Sequence, residues 1–114
     1  MSTRSFIGKL NDDGSITGVY CHFDGYPDGV GLTLQEHYLN PEKVDELLAL
    51  GDLSSLNPSL ETTVAYHRDR GDELLPPKVY TDVEQLVKSS FSDIGAEWAY
   101  VFHYDGWRTY ETTP

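Results

Sequence analysis

Two turn signals, one near each end of the chain, constrain this fold more than anything else in the sequence. Asn11-Asp12-Asp13-Gly14 separates the alternating stretch 5–11 from 15–24, and Asp105-Gly106 separates 97–104 from 107–111. Glycine supplies the positive φ that tight turns require, so each signal predicts an antiparallel hairpin. A chain that begins and ends in hairpins must build its core on a sheet.

The segments between them read mainly as helices. Val30, Leu34 and Tyr38 recur at i, i+4, i+8, which predicts an amphipathic helix over 30–40. Asn40-Pro41 with Glu42 in the first turn marks a second helix start, Val44, Leu47 and Leu48 form its stripe, and Gly51 stops it. Residues 52–61 read as a polar connection, 62–68 as a β-branched and aromatic strand, and 69–78 as a charged loop with Pro76-Pro77. Thr81-Asp82-Val83-Glu84 resembles a capping box ahead of Val83, Leu86, Val87 and Phe91 on one helical face. The order ββααβαββ predicts one α+β domain over residues 1–114, an antiparallel sheet with helices packed on one face and a frayed C-terminal end. No repeat or linker interrupts it.

At 114 residues, with 39% hydrophobic and 12% aromatic content, the chain has the makings of one core without covalent staples. Its single cysteine, Cys21, excludes an internal disulfide and a Cys-based zinc site, and its strand position predicts a buried, inert thiol. The opening Met-Ser-Thr-Arg-Ser lacks the apolar run of a signal peptide, and no window approaches a membrane span. A soluble protein of the cytoplasm is therefore expected, with no membrane partner. Nineteen acidic residues face eight basic ones, a net charge of −11. Such a surface repels phosphate backbones, so direct nucleic-acid binding is not expected. It leaves two readings: a surface that imitates nucleic acid, or plain solubility.

The stretch 20–31, Tyr-Cys-His-Phe-Asp-Gly-Tyr-Pro-Asp-Gly-Val-Gly, runs from a strand through a Gly/Pro-punctuated loop into a helix. Binding residues concentrate on loops of this kind. His-x-Asp recurs at His22-Phe23-Asp24, His67-Arg68-Asp69 and His103-Tyr104-Asp105, each time at an expected strand end. The strand period places Val19, Cys21 and Phe23, Val64 and Tyr66, and Trp98, Tyr100 and Phe102 toward the helices. The three histidines then lie on the opposite face. Three readings follow: a divalent-metal site, contact with an organic ligand or partner, or turn aspartates beside ordinary surface histidines. Arg68 and Arg70 offer forks for a phosphate or carboxylate, with Tyr26 and Tyr66 as stacking surfaces, or else pair with nearby aspartates. The serines lack a nucleophile elbow, no Gly-Lys-Ser/Thr follows the glycine loop, and no carboxylate pair marks acid/base work. No enzyme activity, metal or cofactor is expected.

The run from Ser15-Ile16 through Tyr20-Cys21-His22-Phe23-Asp24-Gly25-Tyr26-Pro27 to Gly29-Val30-Gly31 resembles small proteins encoded by bacteriophages and prophages. So do His37-Tyr38, Leu50-Gly51-Asp52 with Leu53 and Leu56, and Thr63-Val64-Ala65-Tyr66-His67-Arg68-Asp69-Arg70-Gly71. The resemblance covers nearly the whole chain and implies an origin more than an activity. Small acidic phage accessory proteins are similar in kind to anti-CRISPR and anti-restriction inhibitors. The leading expectation is therefore an inhibitor of a basic host protein or nucleoprotein complex, such as a CRISPR effector, that imitates nucleic acid. Its contacts would come from Asp24, Asp28, Glu42, Asp45, Glu46, Asp69, Asp72 and Glu73. The alternative is a binder of a small nucleotide signal, using His22, Tyr26, Tyr66, His67, Arg68 and Arg70. A metal-dependent enzyme at the His-x-Asp cluster ranks third.

Overall fold

A computed structural model describes residues 2–114. In chain order the strands are β1 (Ser5–Leu10), β2 (Ile16–Cys21), β3 (Leu53–Ser55), β4 (Val64–Ala65), β5 (Lys78–Tyr80), β6 (Trp98–His103) and β7 (Gly106–Glu111). The helices are α1 (Leu32–His37), α2 (Pro41–Ala49), α3 (Tyr66–Arg70) and α4 (Val83–Ile94), and one π-helical turn, Pro27–Gly31, leads into α1. They form the expected single α+β domain.

Both expected hairpins form, although the second turns one residue earlier than Asp105-Gly106 suggests. Leu10 pairs with Ile16 across a loop in which Gly14 has φ +90° and the Asn11 amide donates to the Ser15 carbonyl at 2.8 Å. His103 pairs with Gly106 at the other end, leaving Tyr104 and Asp105 as the turn. The sheet is mixed, however, not antiparallel throughout. Its order is β4-β3-β2-β1-β6-β7, with β5 also on β2, and β1 runs parallel to β6 as β2 does to β3. A turn signal fixes the pairing of its own two strands and says nothing about how two hairpins join.

Helices also cover both faces, not one. Ile7, Val19, Cys21, Tyr100 and Phe102 pack with Val30, Leu34, Tyr38, Val44 and Leu47 of the α1–α2 layer. On the opposite face Phe6, Ile16, Ala99 and Val101 pack with Tyr80, Leu86 and Ala96 of the α4 layer. The central strands β1 and β6 therefore carry buried residues on both sides, as interior strands of a covered sheet do. Gly8 and Gly18 face each other across β1 and β2, and the Phe6 ring fills the space their missing side chains leave. That ring meets Tyr80 edge-on at 5.5 Å.

The α1 stripe Val30, Leu34 and Tyr38 is buried as expected. Asn40 caps α2 by accepting from the Glu42 amide at 2.8 Å, and Gly51 follows the helix at φ +80°. On α4 the cap sits one residue later than the sequence suggests: Asp82 accepts from the Gln85 amide at 2.8 Å, while Gln85 reaches back to Thr81. The expected strand over 62–68 is curtailed to Val64–Ala65 and gives way to α3. Asp69 accepts from the Ala65 amide at 2.8 Å, which starts a helical turn, and Gly71 at φ +73° ends it. The C-terminal end is pinned, not frayed. Thr112 Oγ1 donates to the Ala96 carbonyl at 2.6 Å and the Thr113 amide to that of Val87 at 2.9 Å. Among the described residues no helix is long and apolar enough to cross a membrane.

Candidate functional site

The glycine loop after β2 is held mainly by backbone contacts. The Gly25 amide donates to the Thr3 carbonyl at 2.8 Å, the Tyr100 hydroxyl donates to the Gly25 carbonyl at 2.7 Å, and the Val30 amide donates to Asp24 at 2.8 Å. A Cβ on Gly25 would stand 2.7 Å from the Thr3 carbonyl oxygen, and one on Gly31 2.9 Å from the Tyr100 ring. These glycines thus permit close packing of the loop on the sheet. Burial pushes the Tyr100 hydroxyl pKa well up and that of Cys21 up to about 12, so the thiol stays protonated and inert as expected.

The polar groups converge elsewhere, in a cavity of about 330 Å³ beside the end of β2. Tyr20 and His22 come from that strand end, Asp52 from the turn before β3, and Tyr66 and His67 from α3. Asp72, Glu73, Leu74 and Leu75 close it from the loop that follows. Tyr20 and His22 lie two residues apart, so the strand period sets them on one side, with the hydroxyl 2.5 Å from His22 Nδ1. Burial raises the Tyr20 pKa, opposed by the charge of Arg4. His67 Nδ1 lies 2.7 Å from the Asp72 carbonyl, which only accepts; this nitrogen therefore carries a hydrogen, which leaves Nε2 as the acceptor whenever the ring is neutral. Asp52 binds Lys78 through both oxygens, at 2.6 and 2.7 Å, and accepts the Tyr20 amide at 3.0 Å. That pair cross-links the turn before β3 to β5 at the cavity wall.

The expected ligand set is brought together only in part. His22, Tyr66 and His67 line the cavity. Tyr26 does not; it lies with Thr3, Trp98 and Glu97 in a different depression, its hydroxyl 3.3 Å from Asp24. Arg68 is spent locally, its guanidinium on both Asp69 oxygens at 3.0 and 2.9 Å and on the Thr63 carbonyl. Arg70 lies over the Tyr66 ring at 5.4 Å. His103 departs from the expected cluster altogether. It ends β6 beside the β7 turn, while His22 follows Cys21, whose partner Ser5 pairs with Trp98 at the start of β6. Roughly 15 Å of strand lies between those positions. Among the described residues no group of three or more His, Cys, Asp or Glu is placed to hold a metal ion.

The eight expected acidic contacts are all exposed and come from three stretches of the chain. Asp24 and Asp28 sit on the glycine loop, Glu42, Asp45 and Glu46 on the exposed side of α2, and Asp69, Asp72 and Glu73 around the end of α3. Two of them are internally compensated: Asp45 by Lys9 at 2.6 Å and Asp69 by Arg68. Sequence reasoning missed Tyr20, Asp52, Leu74, Leu75 and Lys78. Only Tyr20 had a usable signal, its period-two spacing from His22. A second groove of about 460 Å³, between the β1–β2 turn and α2, is larger, but its Lys9 and Asp45 are spent on each other, which leaves Asp12 as the one lining charge outside an ion pair among the described residues. The smaller cavity has the better claim because its polar groups converge. Compared with protein-family models, curated proteins and solved structures, the chain matches none of them.

Proposed function

We propose that this protein is a phage-type accessory factor that acts by contact, not catalysis, inhibiting a host nucleic-acid-binding defence complex of the kind anti-CRISPR and anti-restriction proteins target. The observation that carries this reading is the outer side of α2. Glu42 and Glu46 stand there at i and i+4, both exposed and in no ion pair among the described residues, beside the Lys9-bound Asp45, on a helix whose opposite side is buried through Val44 and Leu47. Five of the nineteen carboxylates take part in ion pairs among the described residues, so most of the negative charge faces outward. A field of that sign draws in a basic groove and speeds encounter, and salt screens it.

The test is a pull-down with the tagged protein against nuclease effector complexes, followed by affinity measurement across a salt series. A recovered complex whose affinity falls as salt rises, and falls about tenfold or more with Glu42→Lys and Glu46→Lys together, supports the reading. Recovery of no effector, or binding indifferent to salt, overturns it.

Capture of a small ligand is the second reading, favoured by the convergence of Tyr20, His22, Tyr66 and His67 on one cavity. A thermal-shift screen in which no small molecule stabilises the protein would count against it.

A further inference from the structure

We infer that the cavity between Tyr20 and Tyr66 is a receptor for an organic cation, a protonated amine or guanidinium on an apolar stem. This deepens the ligand-capture reading and rests on the same cavity; it is independent of inhibition by the α2 surface.

The commitments of the charged groups decide the sign of the ligand. Asp52 and Lys78 satisfy each other through both carboxylate oxygens and cancel. Asp72 and Glu73 have no ion-pair partner among the described residues, so the wall carries uncompensated negative charge. Among the described residues no lysine or arginine lines the cavity. Arg68, the fork nearest in sequence, is held by Asp69. The unpaired charges of the lining itself are therefore carboxylates, while Arg70 over Tyr66 and Arg4, whose charge acts on Tyr20, stand outside it.

The neutral groups agree with a cation. Aromatic faces attract an ammonium or guanidinium, and the Arg70 guanidinium over Tyr66 is an example within this molecule. With His67 Nδ1 donating to the Asp72 carbonyl, Nε2 of the ring in its neutral form offers an acceptor to an N–H donor. Leu74 and Leu75, 48% and 51% exposed, give the apolar stem a wall. At about 330 Å³ the cavity suits one small amine or one side chain, not a dinucleotide. In a protein of net charge −11, a cleft with carboxylate walls concentrates cations.

The shared chemistry has two sources, a free amine or a basic side chain of another protein, and one experiment separates them. The full chain is titrated with phenethylamine, phenethyl alcohol and phenylpropionate while backbone amide NMR signals are followed. Expected is saturable movement of residues 20–22 and 66–75 with phenethylamine alone, weakened about tenfold by Asp72→Asn with Glu73→Gln, two exposed loop changes. A blocked lysine peptide that binds more tightly than phenethylamine, and loses binding on Nε-acetylation, assigns a protein side chain; tighter phenethylamine assigns a free amine. An equal or stronger response to phenylpropionate or phenethyl alcohol, or affinity unmoved by the double variant, overturns the cation and leaves ligand capture standing. No response to any probe removes both.

Discussion

Asp52 and Lys78, 26 positions apart in the chain, form a two-point ion pair that ties the turn before β3 to β5. Asp52 also holds the Tyr20 amide, so one carboxylate connects three parts of the cavity's surroundings. The pair is mostly shielded, with side-chain exposure of 21% for Lys78 and 18% for Asp52. Asp52→Ala leaves a half-buried ammonium and a backbone N–H without partners, and is expected to cost roughly 2–3 kcal/mol. Thermal unfolding should show it as a fall in the midpoint, and hydrogen exchange in residues 71–77 should quicken. An unchanged midpoint would mean the pair contributes nothing net.

The Phe6 ring makes the opposed glycines obligatory. A Cβ on Gly8 would stand 2.5 Å from Phe6 Cε2 and 2.7 Å from the Thr17 carbonyl oxygen. Gly8→Ala is expected to destabilise by roughly 1–3 kcal/mol through overpacking. Combined with Phe6→Leu, the loss should be smaller than the sum of the two single changes, because the smaller side chain yields the space. Denaturant melts of the four proteins measure that coupling; strict additivity would show that the ring is not the obstacle.

Ser90 is buried on α4 with a hydroxyl that has no hydrogen-bond partner among the described residues. Such a group costs about 1–3 kcal/mol when left unpaired. Ser90→Ala should therefore leave stability unchanged or raise it by up to about 2 kcal/mol. A clear loss in a denaturant melt would point to an interaction of that hydroxyl beyond those in the structure.

His103 ties stability to pH. Burial, and then the positive charge of Arg108, lower its pKa from 6.5, against the opposing pull of Asp105. A histidine with a depressed folded pKa favours the folded state in its neutral form. Its contribution is complete above pH 6.5 and is lost as the pH falls below that value toward the folded pKa. His103→Gln should flatten the decline in melting temperature between about pH 7 and 5. An identical slope in the two proteins would assign that decline to other groups.

The parts of the fold written into local sequence were legible. The turn glycines gave both hairpins, the i, i+4, i+8 spacing of Val30, Leu34 and Tyr38 gave their buried stripe, and Asn40-Pro41 gave the start of α2. The three-residue strands β3 and β5 carry too few residues for a period to register. The helix α3 was hidden because Tyr66 and His67 favour strands by composition; what starts the turn is a side-chain bond from Asp69 to an amide four residues back. Of the candidate site, His22, Tyr66 and His67 could be read as polar and aromatic groups at element ends. That Arg68 is consumed locally while Asp72 and Glu73 stay uncompensated could not.

The sequence alone determined, to within a residue, where the hairpins turn, where α2 and α4 start and which strands pair in a hairpin, since these depend on neighbours within a few positions. The tertiary structure decided that β1 joins β6 in parallel, that helices cover both faces of the sheet, and which charges cancel. Those outcomes turn on contacts between residues dozens of positions apart, such as Asp52 with Lys78 or Lys9 with Asp45. No local pattern encodes the distance between side chains that only the folded chain brings together.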